Sequence, residues 1–200
     1  MARAVFRWWY PETGEPEGPQ RKRKKTYNTP GDTHYLTFSC VGQLPLLSRD
    51  RVRLWLVEAI DKARAAQNMA LWAYVIMPEH VHLLVWPRER EYCMERFLAA
   101  CKRPVSWKAK QWLLAGGQTR WLSRLTVQEG GKQVFRFWLP GGGFDKNLVE
   151  RRGVDAVIAY IHDNPVRRGL VETPHAWKWS SARFWNGERD VPLRMDIAGL

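Results

Sequence analysis

Two short stretches of the chain hold residue types that can do chemistry together. The first is His80-Val81-His82. In a strand, residues i and i+2 project to the same side, so the two imidazoles would stand about 7 Å apart at Cα while Val81 points into the core. Two neutral imidazoles at that spacing can grip one divalent ion. They can equally be half-exposed polar positions, but the flanks, Leu71 to Val75 and Leu83 to Trp86, are apolar, and histidines amid such text need a reason. The second stretch is Ala159-Tyr160-Ile161-His162-Asp163-Asn164-Pro165. On a helix Tyr160 and Asn164 lie one turn apart and share a face. Docked beside the imidazoles, they would supply a phenol nucleophile and a third, oxygen ligand. A phenol with a pKa near 10 needs a nearby cation before it attacks phosphorus. The plainer alternative is a tyrosine packed on the core with its hydroxyl at the surface.

The elements that must position these groups follow from periodicity and breakers. Thr33 to Cys40 alternates and is rich in aromatic and β-branched residues, as a strand is. A helix from about Arg51 to Gln67, capped by Ser48, places Val52, Leu56, Ala59, Ile60 and Ala63 on one face. Leu71 to Met77 and His80 to Trp86, split by Pro78-Glu79, predict an antiparallel hairpin. A second helix covers about Met94 to Leu114, interrupted or restarted at Pro104. Its outer side would carry Lys102, Arg103, Lys108 and Lys110 beside Trp107 and Trp112. A strand at Gln133 to Leu139, a turn at Gly141-Gly142-Gly143 and a helix from about Val154 to Asp163 complete the pattern. The order predicts an α+β fold, a ferredoxin-like or RRM-like antiparallel sheet with helices on one face plus a C-terminal tyrosine-bearing helix. The expected organisation is a basic arm over residues 1–32, a catalytic domain over 33–183 and an irregular tail over 184–200.

Composition narrows the partner. The 200 residues hold 32 Lys and Arg against 20 Asp and Glu, a net charge of +12, which favours a polyanion; nucleic acid comes ahead of an acidic membrane surface. The run Arg21-Lys22-Arg23-Lys24-Lys25 can contact phosphates or simply be solvated. The 12 tryptophans suit either the core or base stacking. Cys40, Cys93 and Cys101 form no CxxC pair, which argues against a disulfide framework or cysteine zinc site and fits a reducing cytosol. The N-terminus is unlike a signal peptide and no stretch is long enough to span a bilayer, so no membrane partner is expected.

Five blocks in order, MPEHVHLLV (77–85), LAACKRPVSWKA (98–109), RFWLPGGGFDKNL (136–148), YIHDNPVRRGLVE (160–172) and WKWSSAR (177–183), resemble the single-tyrosine transposases of the HUH (histidine–hydrophobic–histidine) type and their REP-associated relatives. The resemblance implies a ferredoxin-like enzyme that cleaves and rejoins single-stranded DNA, often near a hairpin. It implies His80 and His82 as metal ligands, Tyr160 as a nucleophile forming a 5′-phosphotyrosine and freeing a 3′-hydroxyl, and Asn164 as the residue that completes the site around Mg²⁺ or Mn²⁺. It leaves open a monomer or a homodimer whose subunits exchange tyrosine helices. Two rival readings stand beside it: a replication-type nicking endonuclease with the same histidine pair, and a single-stranded nucleic-acid-binding module without chemistry. A histidine-triad hydrolase is excluded because position 84 is Leu.

Overall fold

The computed structural model describes residues 27–196, so the basic run Arg21 to Lys25 lies outside the described residues. The element order is β1 (Thr33–Ser39), α1 (Asp50–Ala66), β2 (Met69–Ile76), β3 (His80–Pro87), α2 (Met94–Ala115), α3 (Thr119–Leu125), β4 (Thr126–Glu129), β5 (Lys132–Phe135), β6 (Phe144–Leu148), α4 (Arg151–Arg167) and α5 (Ala182–Trp185). Four strands form one sheet in the order β2-β3-β1-β6, with every neighbouring pair antiparallel. This is the α+β, ferredoxin-like arrangement that the strand and helix order predicts.

The helices divide between the two faces. Leu36 and Phe38 of β1 with Val81, Leu83 and Val85 of β3 meet Leu56 and Ile60 of α1 and Phe97, Cys101 and Val105 of α2 in the main core. Val154, Ile158 and Ile161 of α4 pack on the opposite face, against Ala70, Trp72, Val75 and Leu84. A bulge between Leu71 and Ala73 breaks strict alternation in β2. Leu71, Tyr74 and Ile76 therefore serve the first core, while Trp72, Ala73 and Val75 serve the second.

Several boundaries differ from expectation. Arg49, not Ser48, is the N-cap of α1, with no side-chain cap bond; Asp50 in the first turn answers the helix dipole instead. Pro104 does not interrupt α2, and α4 runs on through Pro165 to Arg167. In α2 the buried Cys101, Val105 and Ala109 on either side of the proline hold the axis; in α4 Ile161, His162, Asn164 and Pro165 itself are buried. That burial exceeds the roughly 3 kcal/mol an interior proline costs. The strand expected at Gln133 to Leu139 ends at Phe135 and belongs to a separate two-stranded hairpin with β4. Phe137 and Trp138 then turn into the main core.

The fourth strand of the main sheet is β6, FDKNL, an edge strand whose charges hide its pairing with β1. Gly143, just before it, has φ +83, and a Cβ there would sit 2.2 Å from the Thr37 carbonyl oxygen, so only glycine lets the chain approach β1. The segment after α4 is packed rather than loose: Trp179, Ser180, Ser181, Leu193 and Met195 are buried. Cys40 and Cys101 are buried free thiols and Cys93 is exposed. No helix among the described residues is long and apolar enough to cross a membrane.

Candidate metal and tyrosine site

The second face of the sheet carries the histidines. His80 opens β3, His82 follows on the same side, and Val81 between them is fully buried in the main core, as alternation requires. The two Nε2 atoms face each other at 3.0 Å. Strand pairing sets Thr37 opposite His82, and Tyr35 lies two residues earlier on the same side of β1. The hydroxyls of both, Tyr35 Oη and Thr37 Oγ1, stand 2.8 Å from His82 Nδ1. At the other ring, Nδ1 of His80 donates to the Glu79 carboxylate at 3.1 Å, and Arg168 at the end of α4 pairs with the same oxygen at 2.9 Å.

These outer contacts decide what the inner nitrogens present. A carboxylate only accepts, so the His80 Nδ1 carries the proton and its Nε2 is left with a lone pair. Tyr35 and Thr37 accept from the His82 Nδ1 in the same way when that ring's Nε2 acts as ligand. Burial pushes His82 down to about 3, with the neighbouring His80 adding to the shift and Asn164 opposing it through a hydrogen bond. Burial also lowers His80, against the pull of Glu79. Both shifts favour the neutral imidazole, the form that can offer a lone pair to a cation. Burial pushes the Tyr35 phenol upward, so it stays a neutral hydrogen-bonding group.

Helix α4 brings Asn164 and Tyr160. The buried Asn164 amide nitrogen donates to the Tyr160 carbonyl at 2.9 Å, which leaves its oxygen for the His82 side. The Tyr160 ring is half-exposed and edge-on to His82, with centroids 5.8 Å apart; it also meets Tyr35 at 6.2 Å. The Arg167 guanidinium lies 5.1 Å over the Tyr160 ring. The four residues singled out from the sequence, His80, His82, Tyr160 and Asn164, thus come together within one chain.

The donor set fits a divalent ion. Two ligands about 2.1 Å from one ion and at right angles to each other stand about 3.0 Å apart, the separation of the two Nε2 atoms. Among the described residues no group of three His, Cys, Asp or Glu side chains is placed to hold a metal; the Asn164 oxygen, on the His82 side, would be the third donor.

The basic face of α2 is differently placed. That helix packs on the opposite side of the sheet from the histidines. Lys102 is not free: it donates to the carbonyls of Gly141 at 2.8 Å and Leu139 at 3.4 Å, and burial lowers its pKa. Lys108 pairs with Glu58 of α1. Arg103 and Lys110 remain exposed, beside the exposed Trp107 and Trp112, and Arg51 covers Trp112 at 5.4 Å. The reading of the sequence missed Tyr35, Thr37, Arg167 and Arg168 and assigned no role to Glu79. The i, i+2 spacing of Tyr35 and Thr37 was a signal, but the register that sets them against His82 was not.

No protein-family model matches the chain. It is 24% identical over 169 residues to a Haemophilus influenzae protein that carries the provisional name REP-associated tyrosine transposase, an alignment covering 76% of this chain and 90% of the relative. Its fold is similar to that of a REP-associated tyrosine transposase solved bound to a REP hairpin, with TM-score 0.56 at 19% identity, covering 88% of this chain and 93% of the other. A Deinococcus radiodurans structure, provisionally named a transposase, matches at TM-score 0.42 and 20% identity, covering 70% of this chain and 96% of its own.

Proposed function

We propose that this chain, similar in sequence and fold to the REP-associated tyrosine transposases, is a divalent-metal-dependent enzyme that cleaves and rejoins single-stranded DNA through a 5′-phosphotyrosine. One observation carries the reading: the Tyr160 ring lies 5.8 Å from a buried, neutral imidazole that shares its free nitrogen's space with a second one, all in the same chain. A binding module without chemistry has no use for that convergence.

In the proposed reaction the phenolic oxygen of Tyr160 bonds to the scissile phosphorus as the bond from phosphorus to the 3′-oxygen breaks. The 5′-phosphate is left on tyrosine, and the phenol proton passes through solvent to the departing 3′-oxygen. Arg167 over the ring places positive charge where the phenolate forms. A Mg²⁺ or Mn²⁺ ion held by His80, His82 and Asn164 would supply a Lewis acid that offsets the negative charge building on the phosphate. Glu79, braced by Arg168, and the Tyr35 and Thr37 hydroxyls keep both imidazoles in the ligand tautomer. The phosphotyrosine conserves the bond energy, so a 3′-hydroxyl can reverse the step without ATP.

The proposed substrate is a single strand, alone or beside a hairpin such as the one bound by the structural relative. Arg103, Lys110 and the exposed tryptophans of α2, with the run Arg21 to Lys25, would hold DNA beyond the cleavage site. Tyrosine supplied in cis suffices for this reading, and it requires no homodimer. The test is to incubate the protein with labelled single strands and Mg²⁺ or Mn²⁺ and to look for a denaturant-resistant protein–DNA complex. Tyr160→Phe should abolish that complex and spare binding. Adducts persisting in the Phe variant would remove Tyr160 as nucleophile.

A further inference from the structure

A cavity of about 700 Å³ lies on the outer side of α4, between that helix, the 3₁₀ turn Pro174–Ala176 and α5. Tyr160 and Arg167 form part of its wall, so it adjoins the histidine site, and Asp163, His175, Trp185 and Asn186 line the rest. Small residues, Ala156, Ala159 and Ala182, keep it open. Its size falls within the range of roughly 300–1,000 Å³ typical of small-molecule sites and leaves room for a nucleobase.

Two of its residues are placed in ways the packing does not explain. Trp185 is 41% exposed, yet its indole N–H donates to the Trp72 carbonyl at 3.1 Å, which pins the ring. A fixed, open aromatic face is a stacking surface that loses little entropy when a base lands on it. Asp163 is half-buried and has no hydrogen bond or ion pair among the described residues, in a chain of net charge +12. Arg167, one turn along α4 and well spaced to pair with it, lies over the Tyr160 ring instead.

An acceptor-only carboxylate beside a DNA strand repels phosphate unless it meets donors. Guanine presents two adjacent donors, N1–H and the N2 amine, to match its two oxygens; adenine and cytosine offer one amine next to a ring acceptor, and thymine one N–H between carbonyls. Resting on the single-strand reading above, we infer that this cavity binds an unpaired guanine next to the phosphate that Tyr160 attacks, stacked on Trp185 and read by Asp163.

The probes are thymidine decamers carrying one dG at each position in turn, and the same set with deoxyinosine, which lacks the N2 amine. Binding is measured by fluorescence anisotropy without divalent metal. One position of dG should tighten binding at least about tenfold over plain dT₁₀, and deoxyinosine there should lose most of the gain. Asp163→Asn should close the gap between guanine and inosine. Ala156→Leu, which narrows the cavity from an exposed helix position, should remove the guanine preference. The inference is overturned if every decamer binds like dT₁₀, if none binds, or if Asp163→Asn keeps the full gap. Adducts formed in Mg²⁺ without guanine preference would remove this inference and leave the cleavage reading standing. Guanine preference without adducts would do the reverse.

Discussion

The two faces of the main sheet are built from the same strands and are closed in different ways. Under α1 and α2, Leu36, Phe38, Val81, Leu83 and Val85 meet two long helices and form a continuous apolar core. Under α4 the alternate residues of the same strands, Tyr35, Thr37, His80 and His82, are polar, and α4 covers the face with Val154, Ile158 and Ile161 only as far as its final turns. There Tyr160, Asn164, Arg167 and Arg168 take over. One face holds the fold together. The other uses that rigidity to hold polar groups in costly positions: the buried His82 ring and the partly buried His80 ring, their Nε2 atoms 3.0 Å apart, stay there because the strands cannot move apart.

That division can be broken most directly by exchanging its consequences. His82→Ala should cut adduct formation by about 10³-fold or more and shift unfolding stability by no more than about 1–2 kcal/mol, the scale of its lost hydroxyl bonds. Phe97→Ala, at a fully buried position of the first core, should cost about 3–5 kcal/mol in denaturant unfolding. It should leave adduct yield per folded molecule unchanged. If Phe97→Ala silenced the chemistry in protein that remained folded, the faces would not be separable.

Smaller effects sharpen the picture. Tyr35→Phe leaves Thr37 as the only hydroxyl on His82 Nδ1 and should weaken Mn²⁺ binding about tenfold, read by titration without DNA. The buried histidines also predict an acid limit. His162, bonded to Ser181 Oγ at 2.8 Å, is held down to about 4 by burial, and His82 to about 3. Unfolded, both would take a proton near pH 6.5. Their contribution to stability is therefore whole above about 6.5 and lost as pH falls towards the folded values, by on the order of 1 kcal/mol per histidine per pH unit. The urea midpoint should fall between pH 6.5 and 4, and less steeply in His162→Gln. Smallest of all, Arg168→Ala removes a half-exposed brace from Glu79 and should slow adduct formation about two- to five-fold.

Much of the site could be read from local text because its parts are spaced within single elements. His80 and His82 share a strand face, and Tyr160 and Asn164 share a helix face, whatever surrounds them. The supporting residues could not be read that way. Thr37 reaches His82 through strand register, Arg168 reaches Glu79 across 89 positions of chain, and β6 is an edge strand with too few apolar residues to announce itself. Proline misled in both α2 and α4, since local propensity yielded to burial, on either side of Pro104 in α2 and at and before Pro165 in α4.

By itself the sequence determined the chain's charge, the order of its principal strands and helices, and which side chains within each element point the same way, because these depend on composition and on periods of two or 3.6 residues. The tertiary structure alone decided which faces meet. It set α4 across the sheet from α1 and α2, put the phenol beside the imidazoles in the same chain, and withdrew Lys102 and Lys108 from the basic face. Those outcomes turn on packing and pairing between residues far apart in the chain, for which local spacing carries no information.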